Sequence, residues 1–176
     1  MAVDGQGLEM SGSAAAVAAY DRAVDHLIRF QPGVVDASAA AAEDRACVLG
    51  TVFCAYLALM STEAGAVAGA ERALSAAPAA VSAGFLLPRE RAHLAAARRW
   101  VAGDMTGAGA TLAEISVHWP RDLLALSVGH QVDFFTGDAV NLRDRIGRAP
   151  GPGLRAFATQ PGRFGTFRHE PHPEGC

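Results

Sequence analysis

Apolar residues recur at helical spacing through most of this chain, in segments punctuated by glycine, proline and small polar residues. The first segment opens at a capping Ser13 and runs to about Phe30, with Val17, Tyr20, Val24, Leu27 and Ile28 on one face. Gln31-Pro32-Gly33 breaks it. An alanine-rich helix follows over about 34–44, then one over about 46–60 carrying Val48, Val52, Phe53, Tyr56, Leu57 and Met60. Ser61-Thr62-Glu63 opens a short fourth helix through Leu74. A looser stretch, Ala77 to Pro88, reads as a connection between helical pairs. Four more helices are expected over about 89–102, 107–118, 122–136 and 139–149. Strict alternation of apolar and polar residues is missing, so no sheet is expected. The domain plan is a disordered N-terminus over 1–12, a helical domain over 13–149 and a disordered Pro/Gly-rich tail over 150–176.

One spacing sharpens this plan. Gly103-Asp104 recurs as Gly137-Asp138, 34 residues on. That is the period of the tetratricopeptide repeat, a helix–turn–helix unit that buries its apolar face only by stacking on its neighbours. Each glycine falls where a helix ends and can take the left-handed conformation that closes it. Each aspartate can cap the helix that follows. Between the two pairs, Ala108 is the small residue for a close helix contact, Leu112 and Ile115 form an inward stripe, and Pro120 closes the unit. The fold class expected is therefore all-α, with antiparallel helix pairs stacked as a tetratricopeptide-repeat-like α-α superhelix.

Composition narrows function more than it narrows fold. The chain has 176 residues, enough to bury a sizeable core. A net charge of -3 leaves no electrostatic footprint for nucleic acid or an anionic membrane surface. The three cysteines, Cys47, Cys54 and Cys176, do not make a disulfide framework. Cys47 and Cys54 are expected as small buried hydrophobes. The N-terminus lacks the pattern of a secretory signal, and the longest apolar runs are too short to span a bilayer. A cytoplasmic protein is expected. Phosphate-binding, dinucleotide-binding, serine-elbow and zinc-protease motifs are absent, so no cofactor is expected.

The candidate chemistry is sparse. His130 and Asp133 lie one turn apart on the seventh helix, where a carboxylate could orient an imidazole as base or ligand. A hydrogen-bonded pair fixing helix packing is the simpler reading, because the local sequence offers no third converging group. Glu90, His93 and Trp100 fall on the face of the fifth helix that would line a concave groove, with Trp100 equally suited to a core. Ser127, Gln131 and Phe134 occupy the matching stripe on the seventh helix. These six are the candidate binding surface. Asp25 and His26 are adjacent in sequence and point to different sides of their helix. The tail residues His169, Glu170, His172, Glu174 and Cys176 could ligate a metal but are too loosely held for a structural site, so none is expected.

Two stretches together resemble a known family. Tyr20-Asp21-Arg22-Ala23-Val24-Asp25-His26-Leu27 with Phe30 is one. The other starts at Pro88-Arg89-Glu90-Arg91-Ala92-His93 and continues through Trp100, Gly103-Asp104, Pro120-Arg121-Asp122, Gly129-His130, Asp133-Phe134-Phe135, Gly137-Asp138 and Asn141-Leu142-Arg143-Asp144-Arg145. They resemble the tetratricopeptide repeat protein 38-like family, in particular its bacterial members, over about Tyr20 to Arg148. Members of that family are longer, so the resemblance implies an N-terminal part ended by truncation or a frame change. It implies a fold and a class but no reaction.

The function expected is a scaffold for a protein or peptide partner. The competing expectation is a fragment of an enzyme whose histidine-based site is completed elsewhere. The last helix should present Asn141, Arg143, Asp144 and Arg145 outward, while Val140, Leu142 and Ile146 face the stack. An exposed apolar patch, and self-association through it, are expected at that end.

Overall fold

The computed structural model describes residues 2–63, 65–76 and 86–148. The expected tail and most of the connection before Pro88 lie outside the described residues. The described chain is helical, with eight helices: α1 Ala14–Ile28, α2 Val34–Ala42, α3 Val48–Met60, α4 Ala66–Ala76, α5 Pro88–Val101, α6 Met105–His118, α7 Leu123–Thr136 and α8 Ala139–Arg148. Each packs on its neighbours in sequence. Ser13 is the expected cap of α1, its hydroxyl accepting from the Ala16 N–H at 3.3 Å. The fourth helix starts at Ala66, later than expected, after Thr62 in the left-handed region.

The two Gly-Asp turns have the same geometry. Gly103 and Gly137 sit at φ 84° and 70°. The Gly103 N–H donates to the Trp100 carbonyl and Asp104 N–H to that of Arg99. Gly137 and Asp138 repeat the pattern to Phe134 and Asp133. This double bond closes the last turn of a helix and needs a left-handed residue, which glycine adopts without a Cβ penalty. Each aspartate then caps the next helix: Asp104 accepts from the Gly107 N–H at 2.8 Å and Asp138 from Asn141 N–H at 3.0 Å.

Helices α1 and α3, α3 and α5, and α1 and α7 also touch, so the odd-numbered helices converge on a shared interior. Rings cross it in sequence: Tyr20 lies edge-on to Phe53 at 6.0 Å, Tyr56 is 6.4 Å from Trp100, and Trp100 is 6.3 Å from Phe135. Ala108, Leu112 and Ile115 are buried as the inward stripe of α6. Cys47 is buried just before α3, and burial pushes its thiol up to about 11. Cys54 is half-buried, its thiol 3.6 Å from the Ser38 hydroxyl.

The N-terminus departs from expectation. Residues 2–12 are not frayed. Strands β1 Ala2–Val3 and β2 Glu9–Met10 pair antiparallel into a short hairpin. Asp4, Leu8 and Met10 are buried beneath it. Glycine content suggested a loose end, yet a buried carboxylate with a buried cationic partner and two apolar anchors holds the segment down.

Candidate functional site

The interior of the odd helices carries charge as well as rings. Pro88 and Glu90 start α5: proline has no N–H to leave unpaired in a first turn, and Glu90 reaches back to the Leu87 N–H at 3.3 Å. This start directs Arg89 and His93, one turn apart, into the core, where their side chains are 2% and 0% exposed. Arg89 Nη2 meets Asp4 Oδ2 at 2.7 Å, and its Nε lies 3.2 Å from Asp122 Oδ2. The same Asp122 oxygen is 3.0 Å from His93 Nε2. The other Asp122 oxygen caps α7 by accepting the Ala125 N–H at 2.8 Å.

Tyr56 completes the arrangement. Its hydroxyl donates to the His93 carbonyl at 3.0 Å and lies 3.3 Å from His93 Nδ1. Burial alone would raise the Asp122 carboxyl, but His93 and Arg89 beside it outweigh that and hold it below the usual carboxylate range. Burial, reinforced by the Asp122 charge, pushes the phenols of Tyr20 and Tyr56 well above their ordinary range. Both stay neutral donors.

A second ion pair joins the last two helices. Arg145 reaches Asp133 with two bonds, Nε to Oδ2 at 2.7 Å and Nη2 to Oδ1 at 2.9 Å, and gives a third to the Gly109 carbonyl at 3.2 Å. Its guanidinium lies on Gly129, where a Cβ would stand 2.5 Å from Nη1. Arg145 was expected outward on α8; it is buried, because the carboxylate of Asp133 lies underneath α8 rather than at the surface. Asp133, expected beside His130, has both oxygens engaged by Arg145. His130 itself is half-buried on α7.

The six candidate groove residues do not share one accessible surface. Glu90, His93, Trp100 and Ser127 are buried, Gln131 is half-buried, and Phe134 is 64% exposed. Glu90 takes the Ser11 N–H and hydroxyl at 2.7 and 2.6 Å, so the N-terminal hairpin covers it. Trp100 is a core residue between Tyr56 and Phe135. Convergence of the odd helices closes the stripe that an open superhelix would leave to solvent.

An open concavity lies elsewhere. Between α6, α7 and α8 is a groove of about 460 Å³. Ala113, Val117, Pro120 and Leu126 supply its apolar lining, and Glu114, His118, Asn141, Asp122 and Arg145 its polar groups. Val117 is 69% exposed there. Val140 is exposed on α8, whereas Leu142 and Ile146 are half-buried.

Arg89, Asp122, Tyr56, Tyr20 and Asp4 were not singled out as site residues from the sequence. Tyr20, Arg89 and Asp122 do stand within the two motif stretches, which was the available signal. Asp4 gave none, because its partner is 85 residues away. Among the described residues no group of three His, Cys, Asp or Glu side chains is placed to hold a metal ion. No described helix is long and apolar enough to cross a membrane. Compared with protein-family models, curated proteins and solved structures, the chain matches none.

Proposed function

We propose that the chain is a tetratricopeptide-repeat-like binding module that takes a protein or peptide partner in the groove between α6, α7 and α8. The observation that carries this reading is the groove itself: an open concavity whose lining combines apolar side chains with several polar groups, the usual make-up of a binding pocket. Its size suits one or two anchoring side chains of a peptide. The Glu114 carboxylate at its edge favours a basic residue beside them. The 34-residue recurrence of the Gly-Asp turns, in sequence and in bonding, supports the repeat class. The resemblance to the tetratricopeptide repeat protein 38-like family supports it from the polar motifs.

The test is selection of short peptides from a displayed library on the full chain, followed by affinities for variants. Val117→Lys should weaken the selected peptides at least tenfold. Val67→Lys, at an exposed site on α4, should leave them unchanged. Peptides insensitive to Val117→Lys, or no enrichment at all, would sink the reading.

A second reading, a histidine-centred enzymatic site, has one specific observation behind it. His93 is oriented by Asp122 at 3.0 Å with Tyr56 on its other nitrogen, the carboxylate–imidazole geometry of general acid–base sites. That site has no exposure as it stands, so catalysis there requires the covering hairpin to move.

A further inference from the structure

The N-terminal hairpin is bonded to the helices as a ligand is bonded to a receptor. Asp21 on α1 accepts the Gly5 N–H at 2.8 Å, and Glu90 on α5 accepts the Ser11 N–H. Arg121 donates to the Gly7 carbonyl at 3.2 Å, and the Leu123 N–H donates to the Gln6 side chain at 3.1 Å. Three of these four contacts read the hairpin's backbone, which any peptide of the right shape could present. Only Asp4, Leu8 and Met10 are buried, so one carboxylate and two apolar side chains anchor it.

The central contact is under-filled. One Asp4 oxygen is spent inside the hairpin, accepting the Gln6 and Leu8 N–H groups at 3.0 and 2.9 Å, so only the other reaches Arg89. Arg89 Nη1 and the Tyr20 hydroxyl, both fully buried, have no hydrogen-bond partner among the described residues. The Tyr20 phenol lies in the field of Asp122, Arg89 and Asp4. A buried donor without an acceptor is unfavourable, and a guanidinium is best matched by two carboxylate oxygens. Asp4 supplies one.

We infer that the face of α1, α5 and α7 beneath the hairpin is a recognition site for an acidic peptide segment, kept closed by residues 2–12 as an internal ligand. An incoming aspartate or glutamate whose two oxygens are both free offers acceptors that Asp4 cannot. Asp21, Glu90 and Arg121 then hold the incoming backbone as they now hold the hairpin's. Asp122 borders both this site and the α6–α8 groove, whereas Val117 lines the groove.

The probe is a synthetic peptide with the sequence of residues 2–12, made with either aspartate or asparagine at position 4. It is titrated against the full wild-type chain and the full-length variants Asp4→Asn and Gln6→Ala. Gln6→Ala loosens the hairpin without touching the buried charges and serves if Asp4→Asn does not fold. The aspartate peptide should bind a folded variant at least tenfold more tightly than it binds wild type, and the asparagine peptide should lose that gain. Val117→Lys should leave this binding unaltered, which separates its failure from failure of the groove reading. Hydrogen exchange on the wild-type chain adds an independent arm: the Leu8 amide should open more readily than the core amides of α3. Equal binding of the two peptides overturns the inference, and so does a Leu8 amide that exchanges only through global unfolding.

Discussion

Two buried arginines anchor this molecule in opposite ways. Arg145 and Asp133 are 12 residues apart on neighbouring helices, paired by two short bonds with a third to a backbone carbonyl. Arg89 draws on Asp4 and Asp122, from the N-terminal hairpin and the start of α7; each arginine keeps one Nη1 without a hydrogen-bond partner among the described residues. The first is a local clamp that docks a terminal helix. The second ties together segments distant in sequence, with a histidine and two tyrosines around it. A clamp of the first kind does not by itself point to a ligand. Beneath a covering segment, with the Tyr20 hydroxyl unmatched beside it, an unmatched donor does, because one added acceptor could satisfy both.

The strongest way to break this comparison is to remove Arg89. Arg89→Met leaves Asp4 and Asp122 buried without their cation, and loss of one partner of a buried pair costs about 3–5 kcal/mol. Urea unfolding should show it. A loss under about 1 kcal/mol would mean the cluster is already wet or the carboxylates re-pair.

Gly129→Ala probes the other arginine. A Cβ there meets the Arg145 guanidinium, so the ion pair must shift or α8 must lift, an overpacking cost of about 1–3 kcal/mol. Protease resistance of α8 should fall together with the melting temperature. An unchanged protein would show that α8 is not docked by this contact.

The acid limb of stability sharpens the contrast. Asp122 has its folded pKa depressed below 3.8, so its contribution is present above the unfolded value and is lost as pH falls through the folded one. The expected outcome is a decline in melting temperature below about pH 4, flattened in Asp122→Asn. Asp21 works in the opposite sense, since burial raises its carboxyl. A profile identical in wild type and Asp122→Asn would contradict the role given to this carboxylate.

The smallest effect tests the repeat. Gly103→Ala and Gly137→Ala each place a Cβ at positive φ with no atom within 4 Å, so both costs are backbone alone, about 1 kcal/mol. Equal shifts in denaturation midpoint support equivalent turns. A clear inequality would separate them.

Much of the helical frame was legible along the chain because its causes are local. Ser13, Gly103-Asp104 and Gly137-Asp138 act on backbone groups within a few residues, and the apolar stripe of Leu112 and Ile115 needs only the helical period. Of the candidate site, His93 and Glu90 were picked out on the correct helix but assigned to an accessible groove. Their burial depends on the hairpin and on α1 meeting α7, contacts that no local pattern encodes. Asp133 shows a related limit. A partner one turn away, His130, is visible in sequence, while Arg145 competes from the next helix with a guanidinium that binds both oxygens.

What the sequence determined by itself was the order of the helices, most of their ends and the two left-handed turns, since propensity, capping and glycine freedom are properties of short stretches. Only the tertiary structure decided which polar residues share the interior. A buried charge takes whichever partner the fold brings within about 3 Å, and Asp4 and Arg89 become neighbours only after 85 residues of chain have folded back.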